Sequence, residues 1–597
     1  LKHKKKKKEF HDLLLPILLI LTLLPFITRL IFYDSGLSSY PWFSDQGMVS
    51  DFFSYYKSYG FMILAILCGI LLLFYLPLHR GKNKELISFI PLAIYCLLTI
   101  LSTFFSVHYS YSIVGGIGHF ENVIVLIGYA IVILYTYQID KAEEDYINIT
   151  KALCIALCIM AIIGLFQAIG KDLLQFPSIL KLILPSEYHA KFLNQTKNLL
   201  VTNAVSLTLA NPNYASVYLS MMIPFLAALM IPAESRKKKL GYLVLIFVLM
   251  ILLFKTYSRS GLLAIFLTGI VLLYFYRHQL RKIWKQCLGL AFVTLLLFTG
   301  IDSFNEFRFT TKIAATFQSF QAERNHTDLE EILTTKDFIK IRYQGKEVCL
   351  SLIETDASEY QLSFTDEWGT DITNLYNRSS KTLAVDPFDE LEFSIEKNVD
   401  SPPLILCNIN DITWKFSYHK VLGYQYINGY GKRDSLSPVE KSVFTSCEHI
   451  GSGRGYIWSR SIPIMKDTIL IGKGPDTFPL VFPQSDYVGK ANNCKTPYTL
   501  IEKPHSMYLG TAIQTGVLSL FAFLCFYLIY AIHTIKLYRK ASFLTFTERF
   551  GFGCFLATLS FMINGIFHDS SLQTTPIFCI FIGLGMDINY VLKKIKR

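Results

Sequence analysis

Three short polar stretches hold residues whose types and spacing suit chemistry on a charged substrate. The first is Lys503-Pro504-His505-Ser506-Met507-Tyr508-Leu509, in which one histidine stands just ahead of a long apolar run. Proline fixes the backbone before it, and Met507 to Ile532, at about 1.5 Å per helical residue, is long enough to span a bilayer. His505 is therefore expected where a membrane helix meets water, a place suited to chemistry on a lipid-borne polar substrate. A lone histidine there would read as an anchor for the helix end. This one has company. Lys255-Thr256-Tyr257-Ser258-Arg259-Ser260 and Gly451-Ser452-Gly453-Arg454-Gly455-Tyr456-Ile457-Trp458 are expected on the same face, and guanidinium groups are planar, permanently charged donors suited to phosphate. In the Arg454 stretch the glycines allow a close approach, and Ile457 to Asp467 reads as an amphipathic helix lying against the membrane with Arg454 at its start. A structural role for Arg454, capping or ion-pairing the segment around it, fits the same spacing.

The elements that must hold these stretches are mostly membrane helices. With 597 residues, 52% hydrophobic and 15% aromatic content, and a mean hydropathy of +0.38, the chain is too apolar for one soluble domain. Its net charge of +12 lies in short clusters between apolar runs, as orientation signals do, and this argues against nucleic acid as a partner. Twelve spans are expected: 12–32, 59–78, 86–106, 121–138, 152–170, 213–232, 239–255, 260–276, 286–302, 507–532, 549–567 and 574–592. The first, preceded by Lys4 to Lys8, has no small-residue cleavage site and reads as a retained helix. Alternation from a cytoplasmic N-terminus puts the clusters Arg80/Lys82/Lys84, Arg236 to Lys239, Arg277 to Lys285, Lys536/Arg539/Lys540 and Lys593 to Arg597 inside. Arg259 lies outside and breaks that pattern. Also outside are the Gly-rich turn Gly115 to Glu121 and a segment, 171–212, whose stretch Phe176 to Leu184 is too short to span.

The expected fold class is mainly α, a polytopic membrane protein with a large β-rich extracytoplasmic insert between the ninth and tenth helices. Its division is 1–302, a membrane domain of nine spans; 303–506, the insert; and 507–597, a membrane domain of three spans. Within the insert, 338–416 alternates apolar and polar residues between turn residues, as a small antiparallel sandwich does, and 451–478 holds the Arg454 segment. The insert either packs on the membrane part or holds glycan through exposed aromatics such as Trp368 and Trp414. Of twelve cysteines, eight fall in or beside predicted spans; Cys349, Cys407, Cys447 and Cys494 fall in the insert, where three pairings are open. Cys447 lies seven residues before Arg454 and Cys494 eleven before His505, so a Cys447–Cys494 bridge would tie two candidate segments together. No histidine, cysteine or carboxylate spacing points to a metal, and no cofactor is expected.

Four pieces in order resemble the O-antigen ligase and polymerase superfamily of bacterial envelope glycan assembly. They are Asn211-Pro212-Asn213-Tyr214-Ala215, Ser258-Arg259-Ser260-Gly261, the stretch from Arg454 through Gly474-Pro475, and Pro504-His505-Ser506-Met507-Tyr508-Leu509 leading into Thr515-Gly516. The resemblance covers roughly 200–300 and 445–590. It departs from the family at Ser506, where asparagine is frequent, and in having the β-rich insert.

The resemblance implies a metal-independent glycosyltransferase in the bacterial cytoplasmic membrane, acting at its outer face. The donor would be an undecaprenyl-diphosphate-linked glycan, and the acceptor a hydroxyl of a glycan or envelope polymer. In that setting Arg259 and Arg454 would clamp the diphosphate and His505 would take or position the acceptor's proton. Asn213 and Glu121 would contact sugar or diphosphate, although both also fit helix-end roles. A flippase or transporter of lipid-linked sugars and a non-catalytic glycan-binding membrane protein are the competing classes. A transporter would need polar or broken helices through the bilayer, and a binding protein would leave Arg259 and His505 without a role.

Overall fold

A computed structural model describes residues 2–79, 84, 86–189, 204–231, 235–281, scattered positions between 289 and 314, 328–354, 360–396, 403–442, 448, 451, 453–494 and 496–595, with backbone alone for 2–11. The fold is mostly helical with one β-rich region. Among the described residues six helices are long and apolar enough to cross a membrane: Tyr55–Leu78, Ile87–Phe104, Glu143–Ala168, Pro212–Met230, Val517–Tyr538 and Thr575–Ile595. Shorter apolar helices cover Asp12–Phe26, Val123–Gln138 and Arg259–Phe275, and two more, Arg236–Lys255 and Phe546–Asn564, fall where spans were expected. Among the described residues, six of the twelve expected spans therefore hold a helix that meets the length and apolarity requirement by itself. The span expected over 286–302 lies largely outside the described residues.

Two expected spans are interrupted. The first helix stops at Thr22, a 3-10 turn carries Pro25, and Ile31–Asp34 is already a strand paired with Met48–Asp51. The run 507–532 is two helices, Met507–Gln514 and Val517–Tyr538, parted at Gly516 (φ 110°). The reason lies in the glycine-rich stretch before it. Lys473 N–H donates to the Ile513 carbonyl (2.9 Å) and Gly474 N–H to the Gln514 carbonyl (3.0 Å), satisfying the end of the short helix. A Cβ on Gly472 would stand 2.2 Å from the Gln514 carbonyl carbon, so only glycine permits this crossing.

Pro212–Met230 and Thr575–Ile595 form the centre of the bundle, each 83% buried along its most apolar window. Asn211 caps the former by accepting from Tyr214 N–H (3.0 Å), with Pro212 at the first helical position. Peripheral helices such as Tyr55–Leu78 turn large apolar side chains outward, Leu73 at 72% and Phe74 at 68% exposure, as a lipid-facing surface requires. One buried carboxylate interrupts the central helix. Asp587 receives Lys84 Nζ (2.8 Å), Lys141 Nζ (2.9 Å) and the Tyr146 hydroxyl (2.8 Å), so the charge is fully partnered.

The insert consists of two antiparallel sheets, a four-stranded one from Leu329–Thr334 to Tyr360–Asp366 and a seven-stranded one from Tyr376–Asn377 to Arg433–Asp434. It is wider on both sides than 338–416. One apolar core joins the sheets and includes Trp414, fully buried; Trp414 therefore cannot be an exposed glycan contact, whereas Trp368 is 81% exposed. Alternation along Ile412–His419 points Trp414 and Phe416 inward, which is why a tryptophan sits in the core. That core extends to Tyr487 and Val488, and Asn492 Nδ2 donates to the Leu329 carbonyl (2.9 Å). The two sheets thereby brace helix Tyr487–Asn493, whose end reaches the candidate site.

Candidate functional site

The loop between the last two helices, 565–574, is the hub on which the candidate segments meet. Met507 N–H donates to the carbonyls of Gly565 (2.9 Å) and His568 (2.8 Å), seating the start of the His505-bearing helix on it. Arg454 Nε donates to the Phe567 carbonyl (3.1 Å), and Ser260, next to Arg259, shares a 2.5 Å hydrogen bond with His568 Nε2. His505 Nδ1 lies 3.3 Å from Asp569 Oδ2, and Ser506 N–H donates to Asp569 Oδ1 (3.2 Å). Ser570 Oγ donates to Glu121 (2.7 Å). Sequence reasoning missed His568 and Asp569. Their signal was present as the polar run Phe567-His568-Asp569-Ser570-Ser571 between two apolar helices on the expected outer side.

His505, Asn213, His568, Asp569 and Lys503 line one cavity of about 690 Å³, together with Asn493 and Cys494. Glu121 does not reach it. Glu121 lines a smaller, adjoining cavity of about 80 Å³ that shares Glu502, Lys503 and Asp569 with the first, and both its carboxylate oxygens are taken, by Tyr129 and Ser570. Glu121 is thus held by side chains of the protein on the wall of the adjoining cavity.

Electrostatics divide the groups into fixed charges and neutral ones. Burial would raise the Asp569 carboxyl, but the hydrogen bond to His505 and the charge of Lys503 outweigh it and hold Asp569 below the usual carboxylate range. Burial likewise opposes the Lys503 ammonium; Tyr214, whose hydroxyl is 2.5 Å away, and the carboxylates Asp569 and Glu502 hold it above its ordinary value. His568 goes the other way. Burial, reinforced by the Arg454 charge, lowers it to about 3, so it is a neutral imidazole. Burial also raises Glu502, Glu121 and Asp476, the last to about 7.

Arg454 opens helix Arg454–Ile464, behind Gly453 at φ 86°. Its hydrogen bonds go to the carbonyls of Phe567 and Gly451, which orient the guanidinium without neutralising it. Burial lowers its pKa, Asp569 opposes this, and the positive charge of Arg259 adds to the lowering. Arg454 therefore lies within electrostatic reach of both Asp569 and Arg259. The helix is buried against Phe478, Phe482 and Ile513 rather than laid on the membrane surface. Arg460, a turn and a half further on, is its structural counterpart: Arg460 pairs with Asp486 (2.9 Å) and Glu448 and sits 4.7 Å from the Tyr456 ring centroid.

Backbone strain gathers here as well. Non-glycine residues with positive φ stand within or beside each candidate segment: Phe120 (55°), Ala210 (71°), Tyr257 (54°), Asp476 (60°) and His505 (52°). Each costs on the order of 1–3 kcal/mol, a cost that persists where surrounding contacts over-determine the geometry. Cys494 is a free thiol on the cavity wall, and Cys349 and Cys407 are free thiols in the insert. Cys447 lies outside the described residues. Among the described residues no group of three or more metal-ligating side chains occurs.

No family model matches this chain, and neither a curated protein nor a solved structure matches it significantly.

Proposed function

We propose that the chain is a membrane glycosyltransferase that moves a glycan from an undecaprenyl-diphosphate carrier to an acceptor hydroxyl at the outer face of the bacterial cytoplasmic membrane. The observation that carries this reading is the His505–Asp569 pair on the wall of a cavity of about 690 Å³, with the Arg454 guanidinium anchored on the carbonyl of Phe567 in the same loop as Asp569. The resemblance of the Asn211, Arg259, Arg454 and His505 segments to the O-antigen ligase and polymerase superfamily gives the substrate class.

In this mechanism Asp569 engages His505 Nδ1, leaving Nε2 to accept the proton of the acceptor hydroxyl. The acceptor oxygen bonds to the anomeric carbon of the donor sugar as the bond from that carbon to the diphosphate oxygen breaks. The negative charge that grows on the departing diphosphate is met by Arg259 and Arg454, whose fixed charges act before any reorganisation is needed. Lys503, held protonated by its surroundings, adds a cation on the cavity wall itself. Asn213 supplies an amide on the same wall for sugar hydroxyls.

A ligase and a polymerase would share this chemistry, and the lipid-linked material in cells lacking the gene separates them. Accumulated single repeats indicate a polymerase and accumulated full chains a ligase. Unchanged lipid-linked pools would overturn the proposal.

A further inference from the structure

A second polar cavity, of about 300 Å³, opens far from this site, between Val517–Tyr538, the end of Thr575–Ile595 and the start of the Ile87–Phe104 segment. His533, Lys536 and Lys593 line it. Both lysines are exposed at helix ends, and by the charge-orientation rule this is the cytoplasmic face, at the depth of the lipid headgroups. The carboxylate in the adjoining part of the central helix, Asp587, is already engaged by Lys84 and Lys141. Lys84 in turn lies 5.5 Å from the Tyr137 ring centroid and 6.0 Å from that of Tyr590, two rings of the cavity wall, which adds a fixed cation behind them.

One polar atom of a lining residue has no partner: Asn589 Nδ2 donates to Thr534 Oγ1 (2.8 Å), which leaves Asn589 Oδ1 buried and unbonded. Buried polar atoms of this kind cost free energy unless a ligand or water meets them. We propose that this cavity binds the headgroup of an anionic phospholipid, with the phosphate at Lys536, Lys593 and His533 and a headgroup hydroxyl donating to Asn589 Oδ1. A phosphoglycerol headgroup supplies both, and its acyl chains would run along the apolar outer face of Val517–Tyr538, where Leu528 and Ile532 are exposed.

The full chain, reconstituted in nanodiscs of phosphatidylcholine containing phosphatidylglycerol, is released for native mass spectrometry, with phosphatidic acid and millimolar inorganic phosphate as separate arms. The wild type retains phosphatidylglycerol in preference to phosphatidylcholine. The Lys536→Gln, Lys593→Gln double variant, altered only at exposed positions, weakens that retention roughly thirtyfold, the factor expected for two headgroup-level lysines. Asn589→Leu weakens phosphatidylglycerol but leaves phosphatidic acid, which lacks the headgroup hydroxyls, unchanged. Equal retention by the wild type and the double variant, or equal retention of phosphatidylcholine, overturns the proposal. Displacement by inorganic phosphate assigns the cavity to free phosphate and overturns the lipid.

Discussion

His505 Nδ1 and Asp569 Oδ2 stand 3.3 Å apart although the residues belong to different loops, one preceding Met507–Gln514 and the other following Phe546–Asn564. The pairing fixes which imidazole nitrogen faces the cavity. A general base positioned this way typically contributes about 10²–10⁴-fold to rate. His505→Ala is therefore expected to lose transfer by roughly that factor, and Asp569→Asn to lose part of it by removing the charge that holds the ring. Because the two act as a unit, the double variant should lose little more than His505→Ala alone. Multiplicative losses in kcat would show that the residues act independently.

The arginine pair makes a separate demand. Arg259→Lys and Arg454→Lys keep the charge but lose the planar fork, so each variant should reach the membrane at normal levels while transfer falls strongly. Immunoblotting of membrane fractions beside a transfer assay checks both halves. Wild-type transfer by both lysine variants would remove the clamp from the account.

Arg460 supplies the contrast. Its guanidinium is buried between Glu448 and Asp486, and Asp486 Oδ1 also accepts from Gly489 N–H (3.0 Å) to cap the next helix. Removing one member of such a buried pair costs about 3–5 kcal/mol. Arg460→Met should lower thermal stability in detergent and the amount inserted, where Arg454→Lys does neither. Equal melting midpoints for Arg460→Met and the wild type would contradict this division of labour between two arginines of one helix.

Acid should weaken the fold through His568. The unfolded residue titrates near 6.5, as histidine ordinarily does, and the folded one at about 3, so between these values the unfolded chain holds the extra proton. Its contribution is complete above about pH 6.5 and declines as pH falls towards 3, at no more than about 1.4 kcal/mol per pH unit. Asp569, held below its ordinary range, adds a loss that begins near the ordinary carboxylate value of about 3.9 and continues below it. Melting midpoints measured from about pH 7.5 to about pH 5 should fall more steeply for the wild type than for His568→Gln. Parallel curves would show that His568 is not the titrating group.

The apolar runs made the helices legible, because long stretches of Leu, Ile and Phe leave few alternatives. The breaks were harder to read. Nothing in Met507 to Ile532 marks the division at Gly516 until Gly472 and Gly474 are seen lying across it, a contact between residues about forty positions apart. Alternation located the β insert but could not tell a buried Trp414 from an exposed Trp368, since both sit in short strand-rich segments and only the packing of two sheets separates them. At the site, His505 was legible as a histidine just ahead of an apolar run, Arg259 as a charge against the orientation rule and Arg454 as an arginine in a Gly-rich segment. Asp569 was not, because its role depends on a loop of the last helix pair folding back under all three segments. Glu121 was legible as a polar residue at a helix start, but its engagement by Tyr129 and Ser570 is a tertiary fact.

The most direct test is transfer by the purified full chain in proteoliposomes, supplied with an undecaprenyl-diphosphate-linked glycan and an acceptor glycan in the presence of EDTA, with release of undecaprenyl diphosphate as the readout. The account predicts that the wild type releases the carrier in step with glycan transfer without added metal, and that His505→Ala and Arg454→Lys, inserted at normal levels, do not. Release that requires restored magnesium or manganese, or that proceeds at the wild-type rate in both variants, would contradict it.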